Sequence, residues 1–86
     1  MRIVAFHKSA FEQYNDWAAA DAKMFERVRR LITEAAKTPF TGIGKPEPLK
    51  GSLTGYWSRR ITDEHRLFYR VAEEQIIIAS CKYHYE

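Results

Sequence analysis

One carboxylate, one arginine and one histidine near the end of this chain are of the types that together can cut RNA without a metal. Such a reaction needs a base to take the 2′-OH proton, a cation to hold the charge that builds around the phosphorus, and an acid to protonate the departing 5′-oxygen. Glu47, flanked by Pro46 and Pro48, is the candidate base, Arg66 the candidate phosphate clamp and His84 the candidate acid. Lys45, Lys50, Arg59 and Arg60 are further cations available to bind RNA, and Tyr83 or Tyr85 could stack on a base or donate a hydrogen bond. Each also has a plainer reading: a solvated loop glutamate, an arginine paired with Glu64 or Asp63, a histidine in a fraying terminus. The chemical reading needs all of them to converge, which spacing alone does not decide.

Positioning them falls to a small set of elements. Residues 2–6, RIVAF, have the β-branched and aromatic content of a short strand. Ser9 and Glu12 stand in the S-x-x-E spacing of a capping box, which predicts a first helix from about Ala10 to Ala20. Asp21 can cap a second helix, in which Met24, Val28, Leu31, Ile32 and Ala35 share one face while Lys23, Arg27, Arg30, Glu34 and Lys37 occupy much of the rest. That helix should stop by Thr38, because Pro39 has no amide proton and excludes its predecessor from helical geometry. From Phe40 to Gly55, glycines and prolines come too often for a regular element. A loop that long in a small domain needs a task.

Three strands follow, at 55–61, 65–71 and 75–83. Period-two alternation places Tyr56, Ser58 and Arg60 on one side of the first, with Trp57, Arg59 and Ile61 on the other. In the second, Leu67, Tyr69 and Val71 form the core side, which turns Arg66 to the opposite face. The expected fold is α+β: one mainly antiparallel sheet, made of the N-terminal strand and a three-strand meander, packed on an N-terminal helix hairpin in a single domain spanning 1–86.

Eighty-six residues with 45% hydrophobic and 14% aromatic content suit a globular domain whose small core would gain from a partner, so a homodimer or a tight complex is expected. The apolar run from Ile76 to Ala79 is far too short for a membrane span, and residues 1–13 lack the apolar stretch of a signal peptide, which predicts a cytoplasmic protein with no membrane role. A lone Cys81 and three scattered histidines offer no metal-ligand spacing, and no Gly-rich phosphate loop is present, so no cofactor is expected. Cys81 reads as a small buried residue of the last strand. Net charge is only +3, but residues 45–70 carry six Lys+Arg against three Asp+Glu, the densest positive excess in the chain.

The blocks Thr38-Pro39-Phe40, Gly44-Lys45-Pro46-Glu47-Pro48-Leu49-Lys50, Trp57-Ser58-Arg59-Arg60-Ile61, Glu64-His65-Arg66-Leu67 and Tyr83-His84-Tyr85 closely resemble the YoeB (Txe) family of bacterial toxins, within the RelE superfamily. The resemblance runs over nearly the whole chain in order and spacing. It implies a small microbial ribonuclease fold and a ribosome-dependent mRNA endonuclease acting in the A site, with Glu47 as general base, His84 as general acid, Arg66 as phosphate-stabilising arginine and Tyr85 as the tyrosine of the site. Lys50 and Arg60 match positively charged positions near the substrate. It further implies a YefM-type antitoxin that covers the site, and operator DNA reached indirectly through that antitoxin. Family members end at the tyrosine, whereas Glu86 follows Tyr85 here and adds a negative side chain beside His84.

A carboxylate is a weak base at neutral pH, so much of the rate must come from holding the 2′-OH in line with the phosphate, which a ribosome can supply. Two readings compete. A non-catalytic RNA- or DNA-binding module would depend on Arg59, Arg60, Arg66 and Arg70 but not on Glu47 or His84. A corepressor without activity would bind its antitoxin yet fail to arrest growth.

Overall fold

The computed structural model describes residues 1–83. A strand, β1 (Ile3–Phe6), leads into two helices, α1 (Lys8–Ala20) and α2 (Ala22–Lys37). A two-residue strand, β2 (Glu47–Pro48), and one 3-10 turn (Gly51–Leu53) precede the meander of β3 (Tyr56–Arg60), β4 (Arg66–Val71) and β5 (Gln75–Ser80). The five strands form one mixed sheet in the order β1-β5-β4-β3-β2, with β1 parallel to β5 and every other pairing antiparallel. This is the expected α+β arrangement with one strand more. Among the described residues no helix is long and apolar enough to cross a membrane.

Both helices pack on one face of the sheet. Val28, Leu31, Ile32, Ala35 and Ala36 of α2 and Ala10 and Trp17 of α1 are buried against Leu67, Tyr69, Ile76 and Ile78. The apolar stripe of α2 is the one its spacing predicts, and Asp21 caps the helix as expected, its Oδ1 accepting from the Met24 amide at 3.1 Å. The capping box at Ser9 and Glu12 does not form. The helix starts at Lys8, and His7, its N-cap, makes no side-chain cap. His7 is instead a junction: its N–H donates to Ile78 O as a last rung of sheet pairing, while its C=O takes the first helical amide, that of Phe11. No residue is left over between strand and helix for a serine cap to serve.

Pro46 and Pro48 do not keep the long loop out of the sheet. An edge strand needs hydrogen bonds on one side alone, so prolines are tolerated there, and Glu47 and Pro48 pair with Ser58 and Trp57. Just before them, Gly44 (φ +82°) lies against β3, its carbonyl accepting the Arg60 amide at 2.7 Å. A Cβ at Gly44 would stand 2.8 Å from the Leu31 side chain and 3.2 Å from the Arg60 carbonyl, so the close approach depends on glycine.

The last strand ends earlier than its composition predicts, at Ser80 rather than Tyr83. Phe68 pairs with Ser80 and Tyr69 with Ile78, leaving Ala79 as an extra residue that twists the end of β5. Beyond it, Cys81 lies buried beneath α1. Burial pushes its thiol from the ordinary 9.0 up to about 12, with Lys82 pulling the other way and Asp16 adding to the rise. The unfolded thiol ionises first as pH rises, so the folded state holds the extra proton through this window. The thiol's contribution to stability is complete below the unfolded pKa and is lost between about pH 9 and 12. Urea unfolding of the native chain beside Cys81→Ala, run from pH 8 to 11, should therefore show a steeper loss of stability with pH in the native chain; parallel curves would contradict the burial argument.

Candidate active site

The register of the sheet decides which side chains meet. Glu47 lies directly across from Ser58, and Ser58 directly across from Phe68; Arg60 faces Arg66, and Tyr56 faces Arg70. Residues opposite one another in an antiparallel pair share a face, so Glu47, Ser58, Arg60, Arg66 and Arg70 all project from the side away from the helices. From Glu47 to the Phe68 position is two strand spacings, about 10 Å, and Arg66 stands two residues along from Phe68 on the same face.

Glu47 is exposed and held on β2 between two prolines whose φ angles are fixed, which limits how far its backbone can wander. Arg66 is half-buried, and its Nη1 lies 3.5 Å from Ser58 Oγ, a contact at the outer limit of a hydrogen bond. Among the described residues that is the one group its guanidinium reaches. Like charges directly opposite one another in a sheet repel, and Asp63 offsets part of this through a salt bridge to Arg60 just beyond the strand. An anion lying between Arg60 and Arg66 would remove that repulsion.

Arg59 requires a correction. The sequence reading offered it to RNA, but its side chain is fully buried on the helix-facing side, as its alternation with Trp57 and Ile61 dictates. Its Nε donates to Tyr69 Oη at 2.9 Å, Nη1 to Ile43 O at 3.0 Å, and Nη2 to Thr38 O and Thr41 O. Tyr69 in turn donates to Pro39 O at 2.7 Å. Burial raises the Tyr69 pKa, against the lowering effect of the Arg59 bond, so the phenol stays neutral and keeps its donor proton. Arg59 is thus the hub on which the segment leading to Lys45 and Glu47 is wound.

Lys45 and Lys50 are exposed, as substrate contacts need to be. Lys45 and the end of β3 with the turn after it, from Arg60 to Asp63, border a groove of about 760 Å³ that reaches round the sheet end to α2, whose Lys23, Glu26, Arg27 and Arg30 form its other wall. The sequence placed those three helical cations only off the apolar face of α2. Their i, i+4, i+7 spacing, which puts them on one face, was the signal available.

The described chain finishes at Tyr83, and this end is fastened. The Tyr83 amide donates to His65 Nδ1 at 2.7 Å, and its carbonyl accepts the Arg66 amide at 3.1 Å. Two residues earlier, Cys81 gives its N–H to Gln13 Oε1 at 2.8 Å and takes the Trp17 Nε1–H on its carbonyl at 2.9 Å. Sequence reasoning assigned neither His65 nor Trp17 a part in the site, because hydrogen bonds to distant backbone leave no trace in local pattern. His84 and Tyr85, expected as acid and site tyrosine, lie outside the described residues, as does Glu86.

With this geometry in place, comparison with known proteins is decisive for the family. The model for the YoeB-like toxin of bacterial type II toxin-antitoxin systems matches residues 6–85. The chain belongs to the YoeB family. It is similar to Toxin YoeB of Mycobacterium bovis, 53% identical over 85 residues, which are 99% of this chain and 100% of that protein. A YoeB dimer from Staphylococcus aureus superposes with a TM-score of 0.89 at 47% identity, covering 98% of each chain. The toxin in a heterotetrameric YoeB-YefM toxin-antitoxin complex from the same organism superposes with a TM-score of 0.88 at 46% identity, covering 99% of each chain. As a YoeB-family toxin, the chain has its Glu47, Ser58 and Arg66 together on the sheet face away from the helices, and Arg59 withdrawn to the other side, into the core.

Proposed function

We propose that this toxin is an endoribonuclease that enters the ribosomal A site, cleaves the mRNA codon there without a metal, and so stops translation. The observation that carries the reading is the grouping of Glu47, Ser58 and Arg66 on the sheet face away from the helices, with Tyr83, the chain neighbour of His84, tied to the Arg66 backbone. In the proposed reaction Glu47 takes the 2′-OH proton and the 2′-oxygen attacks the adjacent phosphorus. Arg66 holds the charge that develops on the non-bridging oxygens. His84 gives its proton to the 5′-oxygen as the P–O5′ bond breaks, leaving a 2′,3′-cyclic phosphate and a 5′-hydroxyl. Tyr85 completes the site, and Lys45, Lys50 and Arg60 hold the flanking backbone by charge.

The partners follow from the same family. The Staphylococcus aureus relatives form a dimer and a complex with YefM; this chain is proposed to do likewise, with a YefM-type antitoxin covering the site and linking the toxin to operator DNA. The deciding experiment is cleavage of a defined mRNA on programmed ribosomes, mapped by primer extension, with native protein beside Glu47→Gln and His84→Gln. Cuts within the A-site codon that need ribosomes and fall by about 100-fold or more in each variant are expected. Cuts that persist in both variants would overturn the acid-base assignment, and ribosome binding with no cleavage by the native protein would favour a binding module.

A further inference from the structure

The segment after β5 is held by more than the sheet, and the way it is held assigns a role to His65. Cys81 has both backbone groups bound by side chains of α1, those of Gln13 and Trp17. Tyr83 has both backbone groups bound at the start of β4, by the His65 ring and the Arg66 amide. Between these two clamps the chain turns into a left-handed conformation at Tyr83, φ +66°, which a tyrosine adopts only where its surroundings impose it.

His65 is shaped for this contact. Its ring is buried, standing edge-on to Trp17 at 4.9 Å and tilted against Tyr83 at 5.6 Å. An amide N–H aimed at Nδ1 from 2.7 Å requires a lone pair there, so the ring's proton sits on Nε2. A carbon at that place would leave the Tyr83 amide without its acceptor.

We propose that His65 is a positioning residue for cleavage. Its Nδ1 fixes the Tyr83 backbone, and through it the entry of His84 to the phosphate held by Arg66; this rests on the proposed acid role of His84. The contribution is one of geometry, and misplacement of a reacting group by about 1 Å can cost roughly 100-fold in rate.

Two substitutions separate the acceptor from the ring. His65→Asn keeps an acceptor at the δ position and discards the ring; His65→Phe keeps the ring and discards the acceptor. Ribosome-dependent cleavage should fall in kcat by about 30- to 100-fold in His65→Phe with KM for programmed ribosomes unchanged, and return to within a few-fold of native in His65→Asn. In parallel, hydrogen exchange of the Tyr83 amide should speed up at least about tenfold in His65→Phe and stay slow in His65→Asn. Trp17→Phe, which keeps an aromatic ring against His65 but gives up the bond to Cys81, should move exchange and kcat in the same direction if His65→Phe fails to fold. Native kcat in His65→Phe, equal losses in both His65 variants, or an unprotected Tyr83 amide in the native protein would each overturn the proposal. The exchange readout needs no ribosome, so a native protein that protects Tyr83 yet cleaves nothing would overturn the nuclease reading and leave the clamp itself established.

Discussion

Replacing Arg59 by methionine is expected to lower the free energy of unfolding by about 3 kcal/mol, seen as a fall in the urea midpoint at unchanged slope. The sign is not obvious, because a buried charge is costly to desolvate and apolar replacements of buried ion pairs are often neutral or stabilising. Here no ion pair is being exchanged for a matched apolar pair. The guanidinium donates to Tyr69 Oη and to the carbonyls of Thr38, Thr41 and Ile43, and methionine removes all the donors while leaving every acceptor in place. Hydrogen bonds to a charged donor contribute roughly 1.5–3 kcal/mol each, and four of them outweigh a desolvation penalty of several kcal/mol. Methionine fills much the same volume as the arginine stem, so the loss is of polar partners rather than of packing. Arg59→Lys should fall between, since a single ammonium cannot span the fork of acceptors. Both variants should also lose cleavage activity with their stability, because the freed carbonyls belong to the segment that delivers Lys45 and Glu47. A midpoint equal to that of the native chain in Arg59→Met would mean that water satisfies those carbonyls and that the arginine is no hub.

Arg59 also marks where reading a sequence reaches its limit. Alternation along β3 placed it with Trp57 and Ile61, the side that turned out to be buried, while its charge argued for RNA; the alternation was the better guide. Period and punctuation were enough for α2, since the stripe from Met24 to Ala35 and the stop before Pro39 are local facts, whereas the capping-box spacing misplaced the start of α1. They were enough, too, for the meander and for the face on which Arg66 lies. Register was not legible. Whether Glu47 meets Ser58 or a neighbour depends on how the chain from Lys50 to Gly55 turns, and a slip of one residue would send Glu47 to the other face. Pro46 and Pro48 read as breakers because they cannot donate, yet at the sheet edge that defect has no cost. The clamps on Cys81 join residues 64 and 68 positions apart, and the His65 clamp on Tyr83 spans 18. No local pattern carries such contacts.

Arg66→Ala should reduce ribosome-dependent cleavage by roughly 100- to 1,000-fold, the loss typical of removing one preorganised group that stabilises transition-state charge. The comparison with Arg59 explains why so large an effect is expected of the less buried residue. Arg59 spends its donors on the fold, whereas among the described residues the Arg66 guanidinium makes one hydrogen-bond contact, 3.5 Å from Ser58 Oγ, so its fork remains available to a phosphate. Its position adds to this, since Arg60 stands directly opposite and raises the local positive potential, while the Tyr83 carbonyl takes the Arg66 amide and ties the strand to the segment leading to His84. The loss should appear in kcat, with ribosome affinity held by the exposed cations elsewhere and so little changed. Arg66→Lys should recover part of the rate by keeping the charge, but not all of it, because an ammonium cannot present two parallel N–H donors to a phosphoryl group. Stability should barely move in either variant, since no strong bond within the described chain is lost. Native kcat in Arg66→Ala would remove the arginine from the chemistry. A rise in KM at constant kcat would instead make it a binding residue and shift the weight of catalysis onto Glu47 and His84.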